Sequence, residues 1–164
     1  MAGLPKYGFN RNTPLPVVYA GSDFTGIELR DLKIEKGISQ LQHLIMALRT
    51  PGFTRSLSLI AISWMQLIAG TQQPVFSDVS TPLPHLYPMK WLPAVRNFLN
   101  NESITLEIED ISIPSIQRIN DFFLMDFALS MKYTNIELQT LNAYRLYKGF
   151  TLASDVKTIN GRKI

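Results

Sequence analysis

Residues 14–49 read PLPVVYAGSDFTGIELRDLKIEKGISQLQHLIMALR, and the apolar spacing in the second part of this stretch decides the fold class. Ile34, Ile38, Leu41, Ile45 and Leu48 recur at steps of three and four, which lines them along one face of a helix, and Leu44 widens that face. Asp31 stands where a side-chain oxygen can accept from the opening N–H groups, so it is the expected N-cap. Upstream, Val17, Val18 and Tyr19 are β-branched or aromatic and favour an extended, half-buried segment. Gly21, Ser22, Asp23 and Gly26 supply turn chemistry between the two. The expected anchor is a short β element feeding an amphipathic helix.

Working outward, Thr50-Pro51-Gly52 breaks the chain, and Thr54 can cap a second helix running to Ala69, with Gly70 at its C′ position. Leu57, Ile60, Trp64, Leu67 and Ile68 form one face of it, and Leu59, Ile62 and Met65 fill much of the rest. That predicts a central helix buried on most sides, Trp64 included. Residues 71–90 hold Pro74, Pro82, Pro84 and Pro88. Such a connection either wraps the surface, with Val75, Phe76, Leu83, Leu86 and Tyr87 as anchors, or separates two subdomains. A short helix is expected over 91–100, where Pro93 is tolerated in the first turn. Ile104, Leu106 and Ile108 alternate with Thr105, Glu107 and Glu109, the period of a strand buried on one face.

Pro114 opens an expected helix to about Lys132, with Ile116, Ile119, Phe123, Leu124, Phe127 and Met131 inside. Thr134 and Glu137 form a capping box for a last helix ending near Gly149. Residues 150–156 look extended, and Asn160-Gly161 is a hairpin signal with only Arg162, Lys163 and Ile164 after it. The chain is therefore expected to be a piece of a longer reading frame. Residues 1–16 have no period and are expected to form a poorly ordered lead-in. The fold class expected is mainly α, a bundle of about five helices with one or two short β elements. It forms one domain over 17–164, or two subdomains joined by the Pro-rich loop.

An apolar share of 46% in 164 residues is ordinary for a globular chain and argues against global disorder. The absence of cysteine removes disulfides, thiol catalysis and Cys-ligated zinc, and fits a reducing, intracellular setting in cytoplasm or nucleus. The most apolar run, 57–70, falls short of the roughly 20 residues needed to span a bilayer, so no membrane partner is expected.

Chemistry-bearing patterns are sparse. His43 and His85 lack partners at metal-ligand spacing and read as surface histidines. Asp121 and Asp126, at i and i+5, lie about 140° apart around a helix axis, poor geometry for sharing a metal. Asp121 reads instead as a partner for Arg118. Residues 20–26 lack the spacing and the lysine of a phosphate loop. No catalytic residue, no metal ligand and no cofactor is assigned. The basic residues say more. Arg30, Lys33 and Lys36 cluster at the start of the anchor helix, with Arg11 upstream, while Arg145 and Lys148 sit near the C-terminal end among Tyr144, Tyr147 and Phe150. That mix suits phosphate contact and stacking. The competing reading is that these cations line solvated faces and the aromatics are core.

Asn10-Arg11-Asn12-Thr13-Pro14, then Val17-Val18-Tyr19, then Gly26-Ile27-Glu28-Leu29-Arg30-Asp31-Leu32 resembles the region downstream of the catalytic palm in retrotransposon-type reverse transcriptases. The resemblance continues in Arg118-Ile119-Asn120-Asp121, Leu124-Met125-Asp126, Leu141-Asn142, Arg145-Leu146-Tyr147 and Thr151-Leu152, and ends at Asn160-Gly161. Thr25 and Glu28 depart from it, standing where such elements carry glycine. The Tyr/Phe-x-Asp-Asp box of the polymerases is absent. What the resemblance implies is a non-catalytic, thumb-like accessory segment that helps hold template and primer, with RNA or an RNA–DNA duplex and the rest of the parent polymerase as partners. Arg11, Arg30, Lys33, Lys36, Arg145 and Lys148 are its expected nucleic-acid contacts. The alternative is a helical protein–protein interaction domain with no nucleic-acid role.

Overall fold

The structure, a computed structural model, describes residues 14–19, 31–86, 91–109, 111, 113–116 and 118–156. It is mainly helical, as the periodicity predicts. The α-helices are α1 (Leu15–Tyr19), α2 (Leu32–Arg49), α3 (Phe53–Ala69), α4 (Trp91–Asn101), α5 (Leu124–Ser130) and α6 (Asn135–Lys148). Short 3-10 turns occur at Pro84–Leu86 and Ala153–Val156. No strand forms among the described residues; pairing is limited to one antiparallel bridge between Phe123 and Leu152. The chain divides into two compact units, Met1–Gln40 and Leu41–Ile164, with the boundary inside α2 rather than in the Pro-rich loop.

In the first unit, residues 15–19 are helical where an extended segment was expected. The carbonyl of Pro14 accepts from Val17 and Val18 at 3.0 and 3.2 Å, and Pro16 falls in the first turn, where its missing N–H is not needed. Asp31 caps α2 as expected: its Oδ1 accepts from the Lys33 N–H at 2.8 Å. The expected turn over 20–26 and the Asn160-Gly161 hairpin lie outside the described residues.

The second unit is built on one core: Leu44 of α2, Ile62, Met65 and Ala69 of α3, Val75, Phe76, Val79 and Leu86 of the connection, and Leu92, Val95 and Leu99 of α4. The Pro-rich connection therefore wraps and fills this unit. Gln66 braces its start, donating from Nε2 to the carbonyls of Thr71 and Gln73 and accepting at Oε1 from the Val75 N–H. α3 ends as its sequence predicts, with Gly70 left-handed at φ 63° and its N–H bonded to the Gln66 carbonyl. Which face of α3 is buried differs from expectation. Ile62, Met65, Gln66 and Ala69 point into the core, and Trp64 is 55% exposed. Both faces of the helix are apolar, so periodicity alone had no means of choosing the inner one.

Residues 104–108, expected as a strand, form none. Leu106 and Ile108 pack on the core, and the Leu106 N–H reaches the Phe76 carbonyl at 3.1 Å. Among the described residues between 114 and 132, only Leu124–Ser130 is helical. Asn120 takes a left-handed turn at φ 65°, and Asp121 Oδ1 accepts from the N–H groups of Phe122 and Ser154 at 3.0 Å each. These side-chain bonds offer the backbone an alternative to the helix ladder. α5 and α6 share a second small core of Met125, Ala128 and Leu138. The Thr134–Glu137 capping box opens α6, and Gly149 closes it at φ 71°. Residues 150–156, expected to be extended, pair only at the Phe123–Leu152 bridge and then turn.

Candidate nucleic-acid interface

Of the six cations expected to meet nucleic acid, Arg11 and Arg30 lie outside the described residues. Lys33 and Lys36 belong to the first unit, both exposed on the opening turns of α2. Three residues apart, they share one side of the helix. Arg145 and Lys148 belong to the last turn of α6, and the structure gives them opposite fates.

Arg145 is buried, only 3% exposed, and its donors are spent inside the protein. Nη2 bonds the carbonyls of Leu67 and Ile68 at 2.7 and 2.9 Å, Nη1 bonds that of Phe150 at 3.2 Å, and Nε bonds Asn142 Oδ1 at 3.0 Å. It cannot serve as a phosphate contact on the surface; it caps the C-terminal carbonyls of α3, which have no partner within that helix. Burial lowers its pKa from the usual guanidinium value. The signal was present in the sequence: Leu138, Asn142 and Arg145 fall on one face of α6, and that face is the buried one.

Lys148 is exposed, its Nζ lying 5.7 and 5.4 Å from the ring centroids of Tyr144 and Tyr147. Tyr144 is 60% and Tyr147 82% exposed, so the outer side of the last α6 turns offers two aromatic rings around one cation. A lysine in the last turn also sits favourably against the negative helix end, whatever it binds.

Two further polar groups play roles the sequence reading did not assign. His85, expected at the surface, is buried, because the Pro84–Leu86 turn enters the core. Its Nε2 lies 2.9 Å from the Ala69 carbonyl, next to the two that Arg145 bonds. Burial lowers its pKa below the usual histidine value; the bond to Ala69 opposes this, and the cations of Arg145 and Arg96 reinforce it. Arg96 of α4 is also buried. Its Nε bonds the Val75 carbonyl at 2.8 Å, and its Nη2 bonds the carbonyls of Asp78 and Thr81 at 2.7 and 2.6 Å. Its position beside Leu92, Val95 and Leu99 on the apolar face of α4 was the clue.

The carboxylates are tie points as well. Asp121 joins Phe122 to Ser154, and Arg118 adds only a minor charge effect to the lowering of its pKa. Asp126 accepts from the Gln72 N–H at 2.9 Å. Among the described residues no group of three or more His, Asp and Glu comes together that could hold a metal ion. Among them, too, no helix is long and apolar enough to cross a membrane. Comparisons of the chain with protein-family models, with curated proteins and with solved structures find no match.

Proposed function

We propose that this chain is a non-catalytic helical accessory segment of a reverse-transcriptase-like protein and that it contributes to holding template and primer. The observation that carries the reading is the exposed end of α6, where Tyr144, Tyr147 and Lys148 combine ring faces with a positive charge. Rings of this kind stack on bases of any sequence, and a neighbouring lysine meets the phosphate. Lys33 and Lys36, exposed on α2, supply a further pair of cations. The resemblance carried by residues 10–14, 26–32 and 118–126 supports the same reading. Arg145 is no part of it.

The test is the affinity of the purified chain for an RNA–DNA duplex across a salt series. Replacing Lys33 and Lys36 together by Ala is expected to flatten the slope of log affinity against log salt by roughly two units, and Lys148→Ala by about one. Tyr147→Ala is expected to weaken binding to single strands by about 1–3 kcal/mol with little change of slope. Absence of binding, or slopes that none of these changes moves, would overturn the reading. Salt-insensitive binding to a protein partner would then identify the chain as a protein-interaction domain.

A further inference from the structure

The Pro-rich connection, α4 and the start of α6 border a cavity of about 590 Å³, within the size range of small-molecule sites. Pro82, Leu83, Pro84, Leu86 and Pro93 give it apolar walls, and the fixed φ of the three prolines stiffens them without a ligand. The exposed amides of Asn97, Asn100 and Asn135 border it too. Among the described lining residues Arg96 alone is charged.

The Arg96 side chain is 5% exposed, and among the described residues no carboxylate forms an ion pair with it. Three carbonyls hold its Nε and Nη2, while Nη1 bonds no described residue. Burial lowers its pKa, and the Asp78 charge opposes this only in part. A cation removed from water in this way is best answered by an anion. A smaller cavity of about 290 Å³ also borders Arg96, but Asp78 and Asp126 line that one and would repel an anion. The larger cavity has no carboxylate in its described lining. The opening turn of α4, which meets it through Pro93 and Ala94, adds the positive end of a helix and holds no acidic residue.

We propose that this cavity binds a small organic acid, with the carboxylate toward Arg96 and the hydrocarbon body against the prolines and leucines. One guanidinium balances one negative charge, whereas a phosphate monoester carries nearly two. No aromatic ring among the described lining residues offers a nucleobase a face to stack on. The site is independent of the nucleic-acid reading, which uses α2 and the far end of α6.

Titration of the full chain with hexanoate, followed by its backbone amide NMR signals, tests the proposal. Saturable shifts are expected at Ala94, Asn97 and Asn100, with a Kd of about a millimolar or below. Hexanamide, of the same shape without the charge, is expected to bind about tenfold more weakly or worse. Replacing Asn97 and Asn100 together by Asp sets two carboxylates at the cavity and is expected to weaken hexanoate binding by about tenfold. Both positions are exposed, so the helical circular dichroism of this variant is expected to be unchanged. Shifts that do not saturate by about 20 mM, or that fall on Lys33 and Lys36 instead, overturn the proposal. So does equal affinity for hexanamide, or a doubly substituted chain that binds hexanoate as the wild type does.

Discussion

The guanidinium of Arg145 occupies the space that a side chain on Gly70 would need: a β-carbon built on Gly70 comes 2.6 Å from Cζ and 2.7 Å from Nη2. Gly70 is also left-handed, at φ 63°. Two independent reasons therefore demand glycine at the end of α3, one from the backbone and one from the neighbouring helix. Gly70→Ala is expected to destabilise the second unit by about 2 kcal/mol or more in denaturant titration. A loss below about 0.5 kcal/mol would show that Arg145 moves aside at little cost.

Arg145 and Lys148 are three residues apart and both basic, yet they are expected to behave in opposite ways. Arg145→Ala leaves the carbonyls of Leu67, Ile68 and Phe150 without their donor and is expected to cost about 2–4 kcal/mol of stability. Arg145→Lys restores the charge without the planar fork and is expected to rescue little of it. Lys148→Ala is expected to change stability by about 0.5 kcal/mol at most, and any loss to appear in nucleic-acid binding. Equal stability losses at the two positions, measured side by side, would contradict this division.

The helices were legible where one apolar face alternates with a polar one, or where a cap fixes an end. Asp31, the Thr134–Glu137 box, Gly70 and Gly149 all stand where their chemistry predicts. Reading failed where the pattern was apolar on both sides, as in α3, and where long-range bonds overrode a local preference. Asp121, tied to Ser154, stands before the Leu124 start of α5, inside the stretch expected to be helical from 114. The expected site was only half legible for a related reason. A count of positive charges cannot tell Arg145, whose face is shared with Leu138 and Asn142, from Lys148, whose face is shared with solvent. Helical phase distinguishes them; composition does not.

The exposure of Trp64 reverses the usual expectation for a tryptophan in an apolar helix. With 55% of its surface open in the single chain, Trp64→Ala is expected to cost about 1 kcal/mol or less. Phe76, fully buried in the connection between α3 and α4, is expected to cost about 3–5 kcal/mol when cut to Ala. Denaturant titrations of the two variants compare them. A Trp64 cost equal to that of Phe76 would place Trp64 in the core.

The last prediction concerns acid. Nε2 of His85 lies 2.9 Å from the Ala69 carbonyl, while Nδ1 is buried without a hydrogen-bond partner. The arrangement suits the neutral ring, with the proton on Nε2 donated to that carbonyl and the acceptor Nδ1 left unpartnered. A second proton would put an N–H on Nδ1 with nothing to accept it, beside the cations of Arg145 and Arg96. Burial, reinforced by those cations, holds the folded-state pKa below the ordinary 6.5, so below that pH the unfolded chain binds a proton the folded chain refuses. Stability from this site is complete above pH 6.5 and falls as pH drops through it, by about 1.4 kcal/mol for each pKa unit separating the two states. Asp78, Asp121 and Glu137, whose pKa values are lowered in the folded chain, lose their contributions only further into acid, below the ordinary carboxylate range near 4. Asp126, whose pKa burial raises, takes up its proton earlier in the folded chain and works in the opposite sense as pH falls, so the His85 contribution is read from the difference between the wild type and a His85 variant. His85→Gln keeps an N–H for the Ala69 carbonyl and does not titrate. Between about pH 7.5 and pH 5 the wild-type unfolding free energy is expected to fall relative to that of the variant. Parallel curves for the two proteins would mean that the decline arises elsewhere and that the buried ring accepts its second proton without penalty.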